Sequence, residues 1–266
     1  MTAQNHDKES LIQRVKEKLP AISENDIALI EKAYDYGKLA HKGQKRANGK
    51  PYFEEHCVHV ADHILELGMD TPLVCAALLH DTIEDTAVTA QEIQKLFGKE
   101  IAYLVEGVSK LGKVKYRGNE RHVESLRKFF VSIAQDVRVV ILKLADRWHN
   151  LETLEYLPPD KQQRIALESI MIHAPLASRL GMGKLVSTIN DLAFPYAYPE
   201  EYKRTKTLMD TLIKNADVTI TKMYRGLSAD LHNTLGYSPK IDMRIKSSYS
   251  LYKKLLRKKW NTDEIY

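Results

Sequence analysis

Apolar residues recur at three- and four-residue intervals through the first two hundred residues, and strand-like alternation is scarce. Such a stretch buries its hydrophobic surface only as a set of packed amphipathic helices, so the expected fold class is all-α. Turn signals cut it into segments. A helix is expected over 10–18, stopping before Pro20, and another from Ser23 to about residue 39. Ser23 is a good cap, and Glu24 and Asp26 lie in the first turn, where the helix dipole favours acids. The basic stretch HKGQKRANGKPY reads as a loop. Helix 56–67 closes at Gly68, and Pro72 opens TPLVCAALLHDTIEDT, a helix whose first half is apolar enough to be buried and whose second half turns polar. Further helices are expected over 89–97, 99–109, 120–134, 136–157 and 161–179, punctuated by Gly98, Gly112, Gly118 and Pro158-Pro159. After AFPYAYPEE, residues 202–235 read as one long helix. SPKIDMRIKSS then alternates like a strand, and SYSLYKKLLRKKW returns to helix. This truncated α/β segment, fewer than about thirty residues, is too short to close a sheet and core of its own.

With 266 residues, 44% of them hydrophobic, the chain accommodates one full domain and a smaller unit. Cys57 and Cys75 are its only cysteines, which excludes a disulfide framework and fits a reducing compartment, the cytoplasm by expectation. Neither a basic-then-apolar leader at the N-terminus nor a run of about eighteen apolar residues is present, so a secreted or membrane-spanning protein is not expected. The net charge of +5 is uneven: residues 200–266 carry 14 Lys/Arg against 8 Asp/Glu. Nucleic acid is not the expected partner, because Trp148 and Trp260 are far apart and the basic residues of 253–259 form one helix face.

Chemistry concentrates in Leu79-His80-Asp81-Thr82-Ile83-Glu84-Asp85-Thr86, where an imidazole and a carboxylate stand side by side after an apolar run. One helical turn sets Glu84 above His80 and Asp85 above Asp81, giving a narrow polar face. It can hold a divalent cation through His80 and Asp81 and still offer a free carboxylate to a water. Mixed imidazole and carboxylate donors suit manganese, iron or zinc better than calcium. By itself the dipeptide says little, since an exposed helix end with Asp85 or Thr86 capping the next segment accounts for it equally well. Remote partners matter: His56, and the helix-spaced Asp146 and Asn150 of LADRWHN. Asp146 follows the apolar run VRVVILKLA, so it too is an ionisable group at the edge of the core.

Six motifs in order, AHKGQKRANGKPY, AALLHDTIEDT, LVEGVSKL, VRVVILKLADRWHN, LPPDKQQRIALES and HAPLASRLGM, resemble the hydrolase region of the RelA/SpoT alarmone enzymes, within the HD phosphohydrolase superfamily. The likeness covers residues 25–195 and resumes at RIKSSYSLYKKL, which is similar to the opening of that family's synthetase domain. It implies an HD-domain helical fold over 1–197, then over 198–266 a linker helix and the incomplete start of a synthetase, nucleotidyltransferase-like domain. It further implies that His56, His80, Asp81 and Asp146 ligate manganese, and that Glu84 and Asp85 orient and deprotonate the attacking water. Asn150 and Thr153 match positions touching the nucleotide, Arg46 the residue stacking on guanine with Lys45 beside it, and Arg164 a basic position near the phosphates. The implied reaction removes the 3′-pyrophosphate of guanosine tetra- or pentaphosphate, giving GDP or GTP. In that chemistry a cation lowers the pKa of a water and Glu84 takes its proton, while Lys45 and Arg46 add positive charge and a planar surface for a purine nucleotide. The family's synthetase aspartate follows a stretch like DEIY, so synthetase activity is not expected of the chain as given.

Departures from the family pattern set the questions for the structure. Pro51 and His56 are five residues apart where four is common, and His59 and His63 share the helix, leaving a surface histidine trio or an adventitious metal site as alternatives. Glu152 stands where many relatives carry arginine, which removes a positive charge near a phosphate-binding region and points to weaker binding or a changed substrate preference. His173 replaces a common tyrosine, read as a packing change. Met243 and Ser248 replace familiar residues, whereas Arg244 and Lys246 match ATP-contacting positions. The intact His80-Asp81 and Glu84-Asp85 pairs favour hydrolysis. Hydrolysis of another nucleotide, such as NADPH or a 3′-phosphorylated purine, and alarmone binding without hydrolysis are the competing readings.

Overall fold

The computed structural model describes residues 7–112, 136–237, 239–241 and 247–261, with backbone alone over 214–220. The helix expected over 120–134, and the strand-like stretch at 242–246 with Met243, Arg244 and Lys246, lie outside the described residues. Within them the chain is helical without a strand, the all-α HD-domain fold. Among the described residues the one β-type pairing is the isolated antiparallel bridge between Lys45 and Pro51, which closes the basic loop.

Two compact units divide the chain, residues 1–161 and 162–266. The first holds α1 (Lys8–Lys18), α2 (Glu24–Ala40), a π-helical turn (Phe53–Cys57) running into α3 (Val58–Glu66), α4 (Thr71–Leu79), α5 (Thr82–Asp85), α6 (Ala90–Gly112) and α7 (Val137–Glu152). Local chemistry sets most of these ends. Ser23 accepts from the Asp26 amide, Asp70 from the Leu73 amide ahead of Pro72, and Asp136 from the Arg138 amide. Gly98, at φ +89°, breaks α6 where the sequence places punctuation.

α4 organises this unit. It is apolar all round, and such a helix has to be buried. Leu73, Val74, Cys75, Ala76, Ala77, Leu78 and Leu79 are all fully buried, among α2, α3 and α6. Each buried leucine contributes about 1.5–3 kcal/mol relative to exposure. The consequence is positional: the helix delivers the residues that follow it, His80 and Asp81, into the interior.

Close approach of α2 to α4 depends on Gly37, where a Cβ would stand 2.5 Å from Phe53 Cε2 and 2.8 Å from the Leu78 carbonyl oxygen. Overpacking costs about 1–3 kcal/mol, against the roughly 1 kcal/mol that alanine gains in helix propensity. Gly37→Ala is therefore expected to lower the thermal unfolding midpoint by a few degrees; an unchanged or raised midpoint would show that Phe53 and α4 yield freely.

The sequence reading of one helix through TPLVCAALLHDTIEDT is corrected. α4 ends at Leu79 and α5 starts at Thr82, because side-chain donors take the last-turn carbonyls: His80 Nδ1 lies 2.7 Å from the Ala77 oxygen and Thr82 Oγ1 2.6 Å from that of Leu79. Two further helices are shorter than read. α7 ends at Glu152 before a 3₁₀ turn, Leu154–Tyr156, and the stretch expected over 161–179 is α8 (Pro159–Glu168), a π turn (Ser169–His173) and α9 (Ala174–Arg179).

The second unit contains most of α8, then α9, α10 (Gly183–Ala197), α11 (Pro199–Leu235) and α12 (Ser248–Arg257). Phe194 on α10 is fully buried and stacks on Tyr252 of α12 at 4.9 Å, with Tyr202 and Tyr249 edge-on to it. Asp191 of α10 accepts from the Ser248 hydroxyl and the Tyr249 amide at the start of α12. The boundary read at 197/198 thus passes through one aromatic cluster. His173 is fully buried, and Ser248 begins α12. Among the described residues no helix is long and apolar enough to cross a membrane.

Candidate metal centre

Four side chains from three segments converge at the end of α4. The five-residue step from Pro51 to His56 falls where the chain makes its π turn, Phe53–Cys57, whose i→i+5 bonding holds one residue more than an α turn. His56 lies within that turn and faces inward, 1% exposed. His63 is buried as well, so the surface histidine trio is not what forms. Asp146 comes from α7, buried at the core edge.

His56 Nε2 lies 3.2 Å from Asp81 Oδ2 and 3.3 Å from Asp146 Oδ1; His80 Nε2 lies 3.0 Å from Asp81 Oδ2 and 3.9 Å from Asp146 Oδ1. One ligand atom each from His56, His80 and Asp146 falls within a 4.8 Å span. His80 Nε2 is buried and, although near Asp81, out of hydrogen-bond alignment with it, while its Nδ1 is engaged by the Ala77 carbonyl. A buried imidazole nitrogen left unbonded beside two carboxylates fits a cation. The HD domain implies a divalent metal, and this His/Asp group can hold one. Cys57, His80 and Asp81 form a second grouping that shares His80 with the first, and burial pushes the Cys57 thiol up.

Charge balance in the cluster is tight. Burial works against the His80 imidazolium, yet Asp81 and Asp146 outweigh it and raise its pKa to about 9. Burial likewise opposes ionisation of Asp81 and Asp146, but His80 and His56, with Lys143 for Asp146, hold both well below the usual carboxylate range. Lys143 Nζ donates to Asp146 Oδ2 at 2.8 Å. The two carboxylates thus stand among the positive groups of His56, His80 and Lys143.

A polar chain leads outward. Tyr52 Oη lies 2.7 Å from Asp81 Oδ2 and 3.3 Å from Asp85 Oδ2; burial and those carboxylates push its phenol far up, so it remains a donor. Arg46 lies over the Tyr52 ring and donates from Nη2 to Asn150 Oδ1 at 3.0 Å and Thr153 Oγ1 at 3.1 Å. Gln44 donates to the Asp85 carbonyl, tying the basic loop to α5. The first unit therefore brings together His56, His80, Asp81 and Asp146, then Asp85, and then Arg46 with Asn150 and Thr153. Glu84 is exposed beside Asp85, and Lys45 is exposed on the loop. Arg164 is exposed on α8 and belongs to the second unit. Glu152 turns to His63, whose Nε2 lies 3.0 Å from its carboxylate.

Sequence reasoning passed over Tyr52, Lys143 and His149. Helical spacing carried a signal for the last two, since residues 143, 146 and 149 recur at three-residue steps along one side of α7. For Tyr52 there was none, because its partner is 29 positions away.

The family described as HD domain matches residues 33–183. The chain belongs to the HD-domain family. Within the HD domain, His80-Asp81 is the dipeptide at the convergence point, with His56 and Asp146 on either side. The chain is 41% identical over 251 residues to the bifunctional (p)ppGpp synthase/hydrolase SpoT of Escherichia coli K12, covering 94% of this chain and 35% of the relative. It is 39% identical over 237 residues to the guanosine-3′,5′-bis(diphosphate) 3′-pyrophosphohydrolase of Aquifex aeolicus, 89% of this chain and 34% of the relative. It spans about a third of the length of these curated relatives. A solved structure described as a metazoan ortholog of SpoT that hydrolyzes ppGpp aligns at 29% identity with a TM-score of 0.38, over 48% of this chain and 71% of that one; a likeness of this score carries no argument.

Proposed function

We propose that this HD-domain chain is a manganese-dependent hydrolase that removes the 3′-pyrophosphate of guanosine tetra- or pentaphosphate. The observation that carries the reading is the convergence of His56, His80, Asp81 and Asp146, linked through Tyr52 to Asp85 and to the Arg46 loop. Relatives named for (p)ppGpp hydrolysis, about 40% identical over most of the chain, support the substrate class.

In this reading His56, His80, Asp81 and Asp146 hold the cation. The cation supplies neutralisation of phosphoryl charge and a lowered pKa for water. Glu84 takes the proton as the water oxygen bonds to the phosphorus next to the ribose. The bond from that phosphorus to the 3′-oxygen breaks, and the ribose oxygen receives a proton, leaving GDP or GTP and free pyrophosphate. Asp85, anchored by Tyr52, orients the water. Arg46 offers its guanidinium plane to the guanine, Asn150 and Thr153 contact the nucleotide, and Lys45 adds positive charge for its phosphates. Glu152, engaged with His63, has no part in this reading. The free thiols Cys57 and Cys75 fit a reducing cytoplasm as the site of the reaction.

Incubating the purified chain with guanosine tetraphosphate and Mn²⁺ is expected to release GDP and pyrophosphate in equal amounts, with no release after chelation. Absence of turnover with every divalent cation tried would sink the proposal, and faster turnover of another nucleotide, ranked by kcat/KM, would transfer it to that substrate.

A further inference from the structure

His56 Nδ1 lies 2.8 Å from His149 Nδ1, in a contact between two buried rings 93 residues apart in sequence. Two imidazole nitrogens bond at that distance only when one carries the proton and the other a lone pair. The choice is set from the far side of His56. Its Nε2 faces Asp81 and Asp146, and a cation held there takes the Nε2 lone pair. The proton of His56 then sits on Nδ1 and has to be donated, which leaves His149 one role: a neutral ring with its lone pair on Nδ1 and its proton on Nε2.

We propose that His149 is the positioning residue of the metal centre, fixing His56 in the Nδ1–H tautomer and setting the angle at which its Nε2 meets the cation. The inference rests on the proposed metal-centre reading and extends it. Metal-binding histidines usually donate their second nitrogen to a carboxylate, a carbonyl or water. A carboxylate accepts whatever its surroundings, whereas an imidazole accepts at only one nitrogen of one tautomer, so here the acceptor must itself be held. His149 sits three residues after Asp146 on α7, so one rigid helix supplies a carboxylate to the site and orients a histidine that belongs to α3's leading turn. From α3, His59 stacks on the His149 ring at 4.8 Å between centroids and 25° between planes, which limits rotation of the acceptor. The two rings in the pair meet at 44°, with centroids 4.9 Å apart.

The test uses the full chain, with Mn²⁺ alone as the probe and no nucleotide. His149→Phe keeps a ring and loses the acceptor; His149→Asn places an amide oxygen where Nδ1 stands. Titration followed by the electron paramagnetic resonance of free Mn²⁺ is expected to show the phenylalanine variant binding about 10–100-fold more weakly. The asparagine variant should remain near wild type, a rescue that a purely space-filling role would not produce. Long-range ¹H–¹⁵N spectra of the histidines in the Zn²⁺-loaded wild type are expected to show His56 protonated at Nδ1 and His149 at Nε2. Wild-type protein that binds Mn²⁺ while the phenylalanine variant binds equally well overturns this inference alone, as does a His149 protonated at Nδ1 in the loaded protein. Wild-type protein that binds no divalent cation overturns the metal-centre reading and this inference with it. Should the phenylalanine variant fail to fold, His149→Gln, whose oxygen reaches the Nε2 position instead, takes its place: weakened binding in the glutamine variant but not the asparagine variant supports the proposal, and equal binding in both overturns it.

Discussion

Replacing Asp146 with asparagine is expected to abolish Mn²⁺ binding and, with it, turnover of guanosine tetraphosphate, the largest loss of any single change in this chain. Asp146 Oδ1 is the carboxylate oxygen nearest His56 Nε2 on the α7 side, and no other acid of α7 reaches the cluster. Loss of the cation removes several kcal/mol of transition-state stabilisation, and each 1.36 kcal/mol is about tenfold in rate, so turnover should fall by roughly a thousandfold or more. Asparagine is the informative replacement. Its amide oxygen can still accept from Lys143, whereas alanine would remove that hydrogen bond together with the charge and confuse loss of metal with loss of fold. The checks are a metal titration and a thermal midpoint on the same sample. An asparagine variant that binds Mn²⁺ like the wild type would show that the ligand set is wrong, whatever its activity.

The second large effect separates the two exposed carboxylates. Glu84→Gln is expected to lower kcat by about 10²–10⁴-fold, the usual contribution of a general base, with Mn²⁺ affinity unchanged because Glu84 is outside the ligand group. Asp85→Asn should cost less and should resemble Tyr52→Phe, since Tyr52 is the group that joins Asp85 to Asp81. Single-turnover rates with saturating metal would read both effects. An inert Asp85→Asn variant beside a nearly normal Glu84→Gln variant would move the base from Glu84 to Asp85, a result made physically reasonable by the anchoring of Asp85 through its side chain and its backbone carbonyl.

Much of this was legible before any coordinates, and for local reasons. Ser23 announces a helix start because a side-chain oxygen beside a free amide is a short-range fact, and Pro72 announces another because its fixed φ suits a first turn. Gly98 announces a break because only glycine adopts its φ without strain. The uniform apolarity of α4 declares a buried helix, and a buried helix that ends in His80-Asp81 declares polar groups with a purpose in the interior. The break between α4 and α5 was less visible, since it depends on His80 and Thr82 turning their side chains back onto carbonyls that a helical wheel counts as already used.

Residue order alone was enough to read the all-α class, the place of the polar pair at the end of an apolar helix and, through six ordered motifs, which residues to expect around it. Packing alone revealed that the step from Pro51 to His56 runs through a π turn, that Glu152 is taken up by His63, and that Tyr52 and His149 are the neighbours of Asp81 and His56. The physical reason is range. Caps, breaks and amphipathic faces are settled within a turn or two of chain, whereas a hydrogen bond spanning 29 or 93 positions exists only after helices have packed and leaves no period in the sequence to read.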